Sequence, residues 1–231
     1  IRWIHPVKGI ISPAEFIPII ENCDTTNELG EWVARRACQD MKKWDALEQK
    51  FDIAINISAR QFSSDNFTDQ LLQIVREEEC EPTRFEIEVS EEAPLSTDQS
   101  ASDIMGRRHA HGFIVSLYDY GRGYSNLTRL SELRVNTIKI DGPLTARLTR
   151  DDRTRVIFEA TINMARGLNC KTVAEGVETA EEVAILTRLG CSQLQGYYFA
   201  TPLPFDGLTE WIESRQTSAA RDLQDRLAKA I

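Results

Sequence analysis

The chain has 231 residues, of which 42% are hydrophobic and 27% are charged, and it is long enough for one large domain with a full core. Its formal net charge of −9 argues against a general nucleic-acid binder, because such a protein needs a basic surface to neutralise phosphates. The five cysteines are an odd number without CxxC spacing, which argues against a disulfide framework or a zinc cluster and favours a reducing compartment.

Strands and helices alternate along the first half of the chain. Ile1–Ile4 has the pattern of a strand, and Ser12 begins a capping pattern for a helix that ends near Cys23. A longer amphipathic helix is predicted from Thr25 to about Leu47, because apolar residues recur there at spacings of three and four. The next predicted elements are a strand over Phe51–Ile57, a helix over Phe67–Glu79, a strand over Phe85–Val89 and a helix from about Asp98 to Ala110.

The second half of the chain opens with a strand that ends abruptly. Phe113–Leu117 is a short apolar run, and Asp119 and two glycines interrupt it before a helix that Tyr124 begins. Residues 214–231 are charged and alanine-rich, which predicts a C-terminal helix that packs on the domain or on a partner. Between these segments lie predicted strands over Val135–Asp141, Cys170–Glu175 and Ser192–Gly196 and predicted helices over Arg153–Gly167 and Ala180–Leu189.

Strands that alternate with helices predict an α/β fold with a parallel sheet. No GxGxxG motif follows the first strand, and polar residues recur at strand ends at intervals of 20 to 34 residues, the size of one βα unit in an eightfold barrel. We therefore predict a TIM-like barrel domain over residues 1–213 and a helical tail over residues 214–231. No apolar run reaches the length of a membrane span and no signal peptide is recognisable, so we expect a cytoplasmic location.

The polar residues at the strand ends predict a single site, because the carboxyl ends of barrel strands form the rim that carries binding and catalytic side chains. Taken alone, Asp119 could equally cap the helix that follows it. Together the acids repel one another unless a cation lies between them, and carboxylate and amide oxygens suit Mg²⁺, Mn²⁺ or Ca²⁺ rather than zinc. Such a rim fits hydrolysis of a phosphate ester, and the alternative is a rim whose acids only cap helices. The residues concerned are Asn56, Glu88, Asp119, Asp141, Glu175 and Gln195, with Lys139 as the one cation.

Seven stretches make the chain resemble the EAL domain family over nearly its whole length. Members of this family are cyclic-di-GMP phosphodiesterases, and the family fold is a TIM-like barrel whose first strand runs antiparallel to the others. The resemblance therefore implies a barrel that takes cyclic-di-GMP and uses Mg²⁺ or Mn²⁺, with Ca²⁺ as an inhibitory alternative. The stretches, in chain order, are IRWIHP with GIISPAEFIPIIE, NISARQF, FEIEVSEE, LYDYGRGYSNL, VNTIKID, KTVAEGVET and QGYYFATPLP.

The resemblance also implies roles at the matched positions. The implied catalytic residues are Lys139, near the attacking water, and Glu175, which binds metal or activates that water. The implied metal ligands are Asn56, Glu88, Asp119 and Glu175. The implied ligand contacts are Arg2 at a phosphate, Tyr197 and Pro202 beside a guanine, and Asn56, Gln61 and Asp119. The implied supporting residues are Glu91, which steadies the aspartate loop, and Asp141, Glu178 and Gln195.

One motif departs from the family pattern in a way that bears on activity. Where the family has DDFGTG, this chain has YDYGRG, so that Tyr118 replaces the first aspartate and Arg122 replaces the threonine. In the family that aspartate is shared by two metals, and a phenol with a pKa of about 10 is a poor ligand for a hard cation at neutral pH. We expect metal binding to be weakened or lost, and hydrolysis to suffer more than substrate binding. Arg122 could partly replace a metal at the phosphates.

Three functions remain open from the sequence. The first is a degenerate receptor that binds cyclic-di-GMP and hydrolyses it slowly or not at all. The second is a working phosphodiesterase that converts cyclic-di-GMP to linear pGpG, and the third is a scaffold that has lost the nucleotide. Converging polar groups at the rim argue against the third function, and we favour the first. We also expect a homodimer or a protein partner and further domains in a longer chain, with no nucleic-acid partner and no membrane span in this segment.

Overall fold

The computed structural model describes most of the chain in side-chain detail. The described residues are 1–21, 23, 25–64, 66–91, 93, 101–121, 130 and 133–215. Three sequence predictions fall outside them, namely the helix begun by Tyr124, the role of Arg122 and the tail beyond residue 215.

Eight strands and nine helices are named here in chain order, within the described part of the chain. The strands are β1 (Trp3–His5), β2 (Gly9–Ile11), β3 (Ile53–Ile57), β4 (Phe85–Ser90), β5 (Ile114–Tyr120), β6 (Thr137–Ile140), β7 (Lys171–Ala174) and β8 (Gln193–Leu194). The helices are α1 (Pro13–Glu21), α2 (Thr26–Ala46), α3 (Ala59–Ser63), α4 (Phe67–Glu77), α5 (Ala101–Ala110), α6 (Gly142–Thr145), α7 (Asp152–Gly167), α8 (Ala180–Leu189) and α9 (205–215).

Six of the strands form one parallel sheet in the order β3-β4-β5-β6-β7-β8, so each strand pairs with the next one along the chain. Because all six run in the same direction, their carboxyl ends meet at one edge. The register places Asn56 opposite Glu88 and Glu88 opposite Ser116. This arrangement confirms the predicted α/β fold of the TIM-like type and brings the polar strand ends together.

The first two strands form a separate hairpin rather than the single predicted strand over Ile1–Ile4. β1 and β2 are antiparallel to each other, and within the described residues neither pairs with the six-stranded sheet. The backbone N–H groups of Val7 and Lys8 both donate to His5 Nδ1 at 3.1 Å, which closes the turn. Trp3 contacts Phe16 of α1 edge-on, with ring centroids 5.8 Å apart.

Apolar side chains from the outer faces of the strands pack under the helices in two clusters. The larger cluster lies between β3–β5 and helices α2, α4 and α5, and the smaller lies between β6–β7 and helices α7 and α8. Phe158 of α7 and Ile140 of β6 are fully buried in the smaller cluster. Burying the outer faces leaves the inner faces of the strands free to carry polar residues at the rim.

Strand β5 and the helices α3 and α6 also differ from the sequence prediction, and α6 was not predicted at all. β5 continues to Tyr120, so Asp119 lies inside the strand and not after its end. The extension is irregular, because the pairing of β5 with β6 shifts between Leu117 and Tyr120. Helix α3 follows β3 directly and was not predicted; Ser58 caps it and Gln61 closes the capping box.

The last helix packs against the first half of the chain. α9 covers residues 205–215 and thus crosses the predicted boundary at residue 213. Phe205 stacks on Trp44 of α2 with ring centroids 5.0 Å apart, and Trp44 Nε1 donates to Thr209 Oγ1 at 3.3 Å. No helix among the described residues combines the length and the apolar character that crossing a membrane requires.

Replacing Phe205 with alanine should lower the free energy of unfolding by about 2 kcal/mol, because the variant loses the stack on Trp44 and leaves a gap beside α2. Urea unfolding followed by circular dichroism measures the change. The control is Leu203→Ala, because Leu203 is 39% exposed and a change there should cost only a few tenths of that amount. Equal losses in the two variants would contradict the packing described here.

Candidate active site at the strand ends

A buried ion triad lies inside the rim. Lys139 of β6 places its Nζ 2.5 Å from Glu88 Oε1 and 2.9 Å from Glu175 Oε1. Glu88 belongs to β4, and Glu175 follows the last residue of β7. Side chains alternate along a strand, so Lys139 points into the barrel while Ile138 and Ile140 point to the core. The triad therefore joins three strands across the mouth of the barrel.

Opposing effects set the charges of the triad. Burial disfavours the charged form of Lys139, but the charges and hydrogen bonds of Glu88 and Glu175 outweigh it, so the pKa of Lys139 is raised. Burial also raises the pKa of Glu175, and repulsion from Glu88 and Asp119 adds to this, while Lys139 acts in the opposite direction. Lys139 is thus a permanent cation at neutral pH, and Glu175 is a more basic carboxylate than an exposed glutamate.

A cavity of about 420 Å³ opens beside the triad. Asn56 at the end of β3, Arg2 and Tyr118 line it, together with Gln61. Asn56 lies opposite Glu88 in the strand register, so this wall of the cavity adjoins the strand that carries Glu88. The cavity also has an apolar wall from α1 and α2. An amide, a guanidinium and a phenol around an apolar wall can receive a ligand with both polar and flat apolar groups.

Tyr118 lies next to Ser90 in the register of β4 and β5 and is half-buried. Burial raises the pKa of Tyr118, the negative charges of Asp119, Glu21 and Glu88 raise it further, and a hydrogen bond with Ser90 opposes the shift. The phenol is therefore neutral over the physiological range.

Asp119 has an uncommon backbone conformation that is flanked by contacts with Glu91. Its φ angle is 57°, in the left-handed region, which few residues other than glycine, asparagine and aspartate adopt. The N–H of Glu91 donates to Tyr118 O at 3.1 Å, and the N–H of Gly121 donates to Glu91 Oε2 at 3.3 Å. Glu91 thus fixes the backbone on both sides of Asp119, and its role as a supporting residue of the site stays a prediction.

The remaining predicted site residues occupy three kinds of position. Gln61 is buried, its Oε1 accepts from Ser58 N at 3.0 Å, and its Nε2 donates to Thr26 O at 3.1 Å. The amide of Gln61 thus holds α3 and α2 together, and its predicted ligand contact stays a prediction. Asp141 is buried. Gln195 is exposed, but its backbone N–H donates to Ala174 O of β7 at 2.9 Å, and Glu178, Tyr197 and Pro202 are likewise exposed outside the cavity lining.

Comparisons with known proteins agree with this geometry. The family model of the EAL domain matches residues 1–202. The chain belongs to the EAL domain family. Its structure is similar to that of the MucR phosphodiesterase in a c-di-GMP complex, with a TM-score of 0.85 and 36% identity over 90% of this chain and 84% of that one. An EAL domain protein from Listeria monocytogenes has a TM-score of 0.77 and 30% identity over 90% of this chain and 82% of that one.

The EAL domain also has longer relatives. The bifunctional diguanylate cyclase/cyclic di-GMP phosphodiesterase MucR of Pseudomonas aeruginosa is 35% identical over 209 residues, which make up 90% of this chain and 30% of MucR. An uncharacterized signaling protein of Caulobacter vibrioides is 36% identical over 211 residues, which make up 91% of this chain and 26% of that protein. The chain therefore spans less than a third of the length of these curated relatives.

The side chains of this EAL domain do not form a metal centre in the arrangement described. Phosphodiesterases of the family are generally metal-dependent. In the described residues, however, no three histidine, cysteine or acidic side chains converge as a metal site does. Glu88 and Glu175 are instead turned onto Lys139, whose ammonium lies between them. In this conformation both carboxylates are therefore occupied by the lysine.

Two features of the site escaped sequence reasoning. Glu21 of α1 acts on Tyr118 across a long separation in sequence, and no local pattern signals that contact. The capping box of Ser58 and Gln61 could have been found, because serine followed three residues later by glutamine is its signature.

Replacing Lys139 with methionine should lower the free energy of unfolding by about 3 kcal/mol, because two carboxylates then share a buried site without a cation. The raised pKa of Lys139 means that its contribution is fully present below about pH 10.5 and is lost as pH rises through the folded-state pKa. Urea unfolding between pH 7 and 11.5 should therefore show this alkaline loss in the wild type and a smaller loss in the variant.

The matched control is Lys171→Met, because Lys171 is an exposed lysine on the neighbouring strand β7. The free energy of unfolding of the Lys171→Met variant should differ from that of the wild type by no more than about 0.5 kcal/mol. Equal destabilisation by the two substitutions would mean that Lys139 does not hold the rim together.

Proposed function

We propose that this EAL domain binds cyclic-di-GMP and acts as a receptor with weak or no phosphodiesterase activity. The similar MucR phosphodiesterase was determined as a c-di-GMP complex at 36% identity, which supports the ligand. The cavity next to the triad offers Arg2 and Asn56 to a phosphate. Tyr197 and Pro202, exposed in the loop after β8, would flank a guanine.

Tyr118 is the observation that carries the receptor assignment. It stands where the family pattern has an aspartate, it faces the cavity with Asn56, and it stays neutral because burial raises its pKa. A neutral phenol cannot supply the anionic oxygen that a hard divalent cation requires. We propose that ligand binding does not depend on Mg²⁺ or Mn²⁺, and that the Lys139 ammonium offsets part of the negative charge of Glu88 and Glu175.

The second candidate is an active phosphodiesterase, and the position of Glu175 favours it. A carboxylate whose pKa is raised by burial accepts a proton more readily than an exposed one, so Glu175 could take a proton from a water that attacks the phosphate. Lys139, 2.9 Å from Glu175, would stabilise the negative charge that develops. In this candidate, Asp119 and a shifted water replace the missing carboxylate.

Calorimetric titration with cyclic-di-GMP tests the receptor assignment directly. We expect binding in EDTA, and an affinity that changes less than about threefold when Mg²⁺ or Mn²⁺ is added. The control is Arg2→Ala, which should weaken binding about tenfold, roughly 1.4 kcal/mol, because it removes a phosphate contact. No binding at about millimolar ligand would exclude both the receptor and the enzyme.

Replacing Tyr118 with aspartate should add a carboxylate beside Glu88 and raise hydrolysis of cyclic-di-GMP at least about a hundredfold in the presence of Mn²⁺, since a bridging carboxylate stabilises the transition state by several kcal/mol. Calorimetry should also detect tighter Mn²⁺ binding by the variant. Tyr118→Phe is the control, because it keeps the ring and adds no carboxylate, and it should stay as inactive as the wild type. Rapid hydrolysis by the unmodified protein would favour the enzyme over the receptor.

A further inference from the structure

Three glycines lie immediately beyond the last three strands of the sheet. Gly142 follows β6 by two residues, Gly176 follows β7 by two residues, and Gly196 follows β8 by two residues. Lys139 and Glu175, two members of the triad, belong to the first two of these strand ends. The glycines therefore lie in the loops that carry the charged groups of the rim.

The backbones of two of these loops touch each other. A Cβ atom added to Gly176 would lie 2.9 Å from Gly142 Cα. At this distance the backbone of one of the two loops must move. Gly176 also has a φ of +67°, which side-chain-bearing residues rarely adopt. A Cβ atom added to Gly142 would lie 3.5 Å from Gly176 Cα, an ordinary contact. The close approach thus depends on Gly176 far more than on Gly142.

The third loop meets the second in the same manner. A Cβ atom added to Gly196 would lie 2.1 Å from Val177 O and 2.2 Å from Val177 N. The loop after β8 also binds the backbone of Val177 through two hydrogen bonds. The N–H of Val177 donates to Gln195 O at 3.0 Å, and its C=O accepts from Tyr198 N at 2.9 Å. Any side chain at position 196 would push this backbone away.

Glu175 lies between these two contacts. Its own N–H donates to Ile140 O at 3.0 Å, which ties it to β6 on one side. On the other side, Gly176 follows Glu175 in the chain and lies against Gly142, and the loop after β8 binds the backbone of Val177. The carboxylate of Glu175 thus reaches Lys139 from a backbone that is fixed on both flanks.

We propose that Gly176 and Gly196 are positioning residues, which hold the Glu175 carboxylate within hydrogen-bond distance of Lys139 Nζ. This positioning role adds to the proposed function, and its importance for ligand binding and catalysis rests on that function. A displacement of about 1 Å at a reacting group is enough to cost orders of magnitude in rate, so this kind of backbone contact matters at a rim of this type. The contact with Glu88 does not depend on these loops and should survive their displacement.

The test uses nuclear magnetic resonance of lysine side chains in the full chain. The ammonium ¹H–¹⁵N signal of Lys139 reports on its carboxylate partners, and Glu175→Gln supplies the reference for a weakened contact with Glu175. We expect Gly176→Ala and Gly196→Ala to move this signal at least halfway from the wild-type position to the Glu175→Gln position. Gly142→Ala and Gly167→Ala should leave the Lys139 signal unchanged. A Cβ atom at Gly142 makes only ordinary contacts, the nearest at 3.5 Å, and a Cβ atom at Gly167 meets nothing within 4 Å.

Gly176→Asn keeps the test decisive if an alanine variant folds poorly. Asparagine tolerates the left-handed region but still brings a Cβ atom against Gly142, so the Lys139 signal should move as in Gly176→Ala. A wild-type Lys139 signal in folded Gly176→Ala, Gly176→Asn or Gly196→Ala protein would overturn the proposal, because the glycines would then serve only stability. Since this measurement needs no nucleotide, it is independent of whether cyclic-di-GMP binds.

Discussion

The structure depends on one buried interaction, the Lys139 ammonium held between two carboxylates. Two carboxylates and one ammonium lose hydration free energy when they are buried in the mouth of a barrel. Only short, well-directed contacts between them offset this loss. Glu88, Lys139 and Glu175 meet this requirement because they come from three parallel strands that end at the same edge. The triad also carries a net negative charge, which makes the rim receptive to a further cation or to a cationic side chain.

The rim thus has two halves of different character. The half formed by β6, β7 and β8 is closely packed, since adjacent loops touch through glycine backbones and exchange hydrogen bonds. The half formed by β3, β4 and β5 carries the cavity, the irregular pairing at Asp119 and the Tyr118 phenol. Substitutions that alter chemistry while sparing the fold are easier in the second half, because its residues face open space. Tyr118 lies in that half.

Much of the fold followed from the sequence, because alternating apolar runs and capped helices are local signals. The helix predicted over Ala180–Leu189 has those bounds in the structure, since Thr179 and Glu182 form a capping box and Gly190 ends the helix in the left-handed region. The polar strand ends were also predictable, because the family motifs mark them. The pairing of Lys139 with Glu88 and Glu175 was not, since it depends on which inward side chains meet across the barrel.

The errors have physical reasons as well. Asp119 and two nearby glycines are strong breakers, so the sequence predicted the end of β5 before Asp119. Hydrogen bonds with Glu91 hold the backbone on both sides of Asp119, so β5 resumes its pairing at Tyr120 although Asp119 itself has a positive φ. The hairpin at the start was missed because a three-residue strand is too short to show alternation.

The contact of α9 with Trp44 has a consequence for how the molecule folds. Within the described residues, β3 and β8 are the two edges of the sheet, and the bond from Trp44 to Thr209 spans 165 residues. Closing so large a loop costs entropy that only the finished packing can repay. During synthesis, α2 therefore leaves the ribosome long before Phe205 and Thr209 are available to pack on Trp44. The outer layer is completed last, so its closure is a late step at which a nascent chain is open to chaperones and to misassembly.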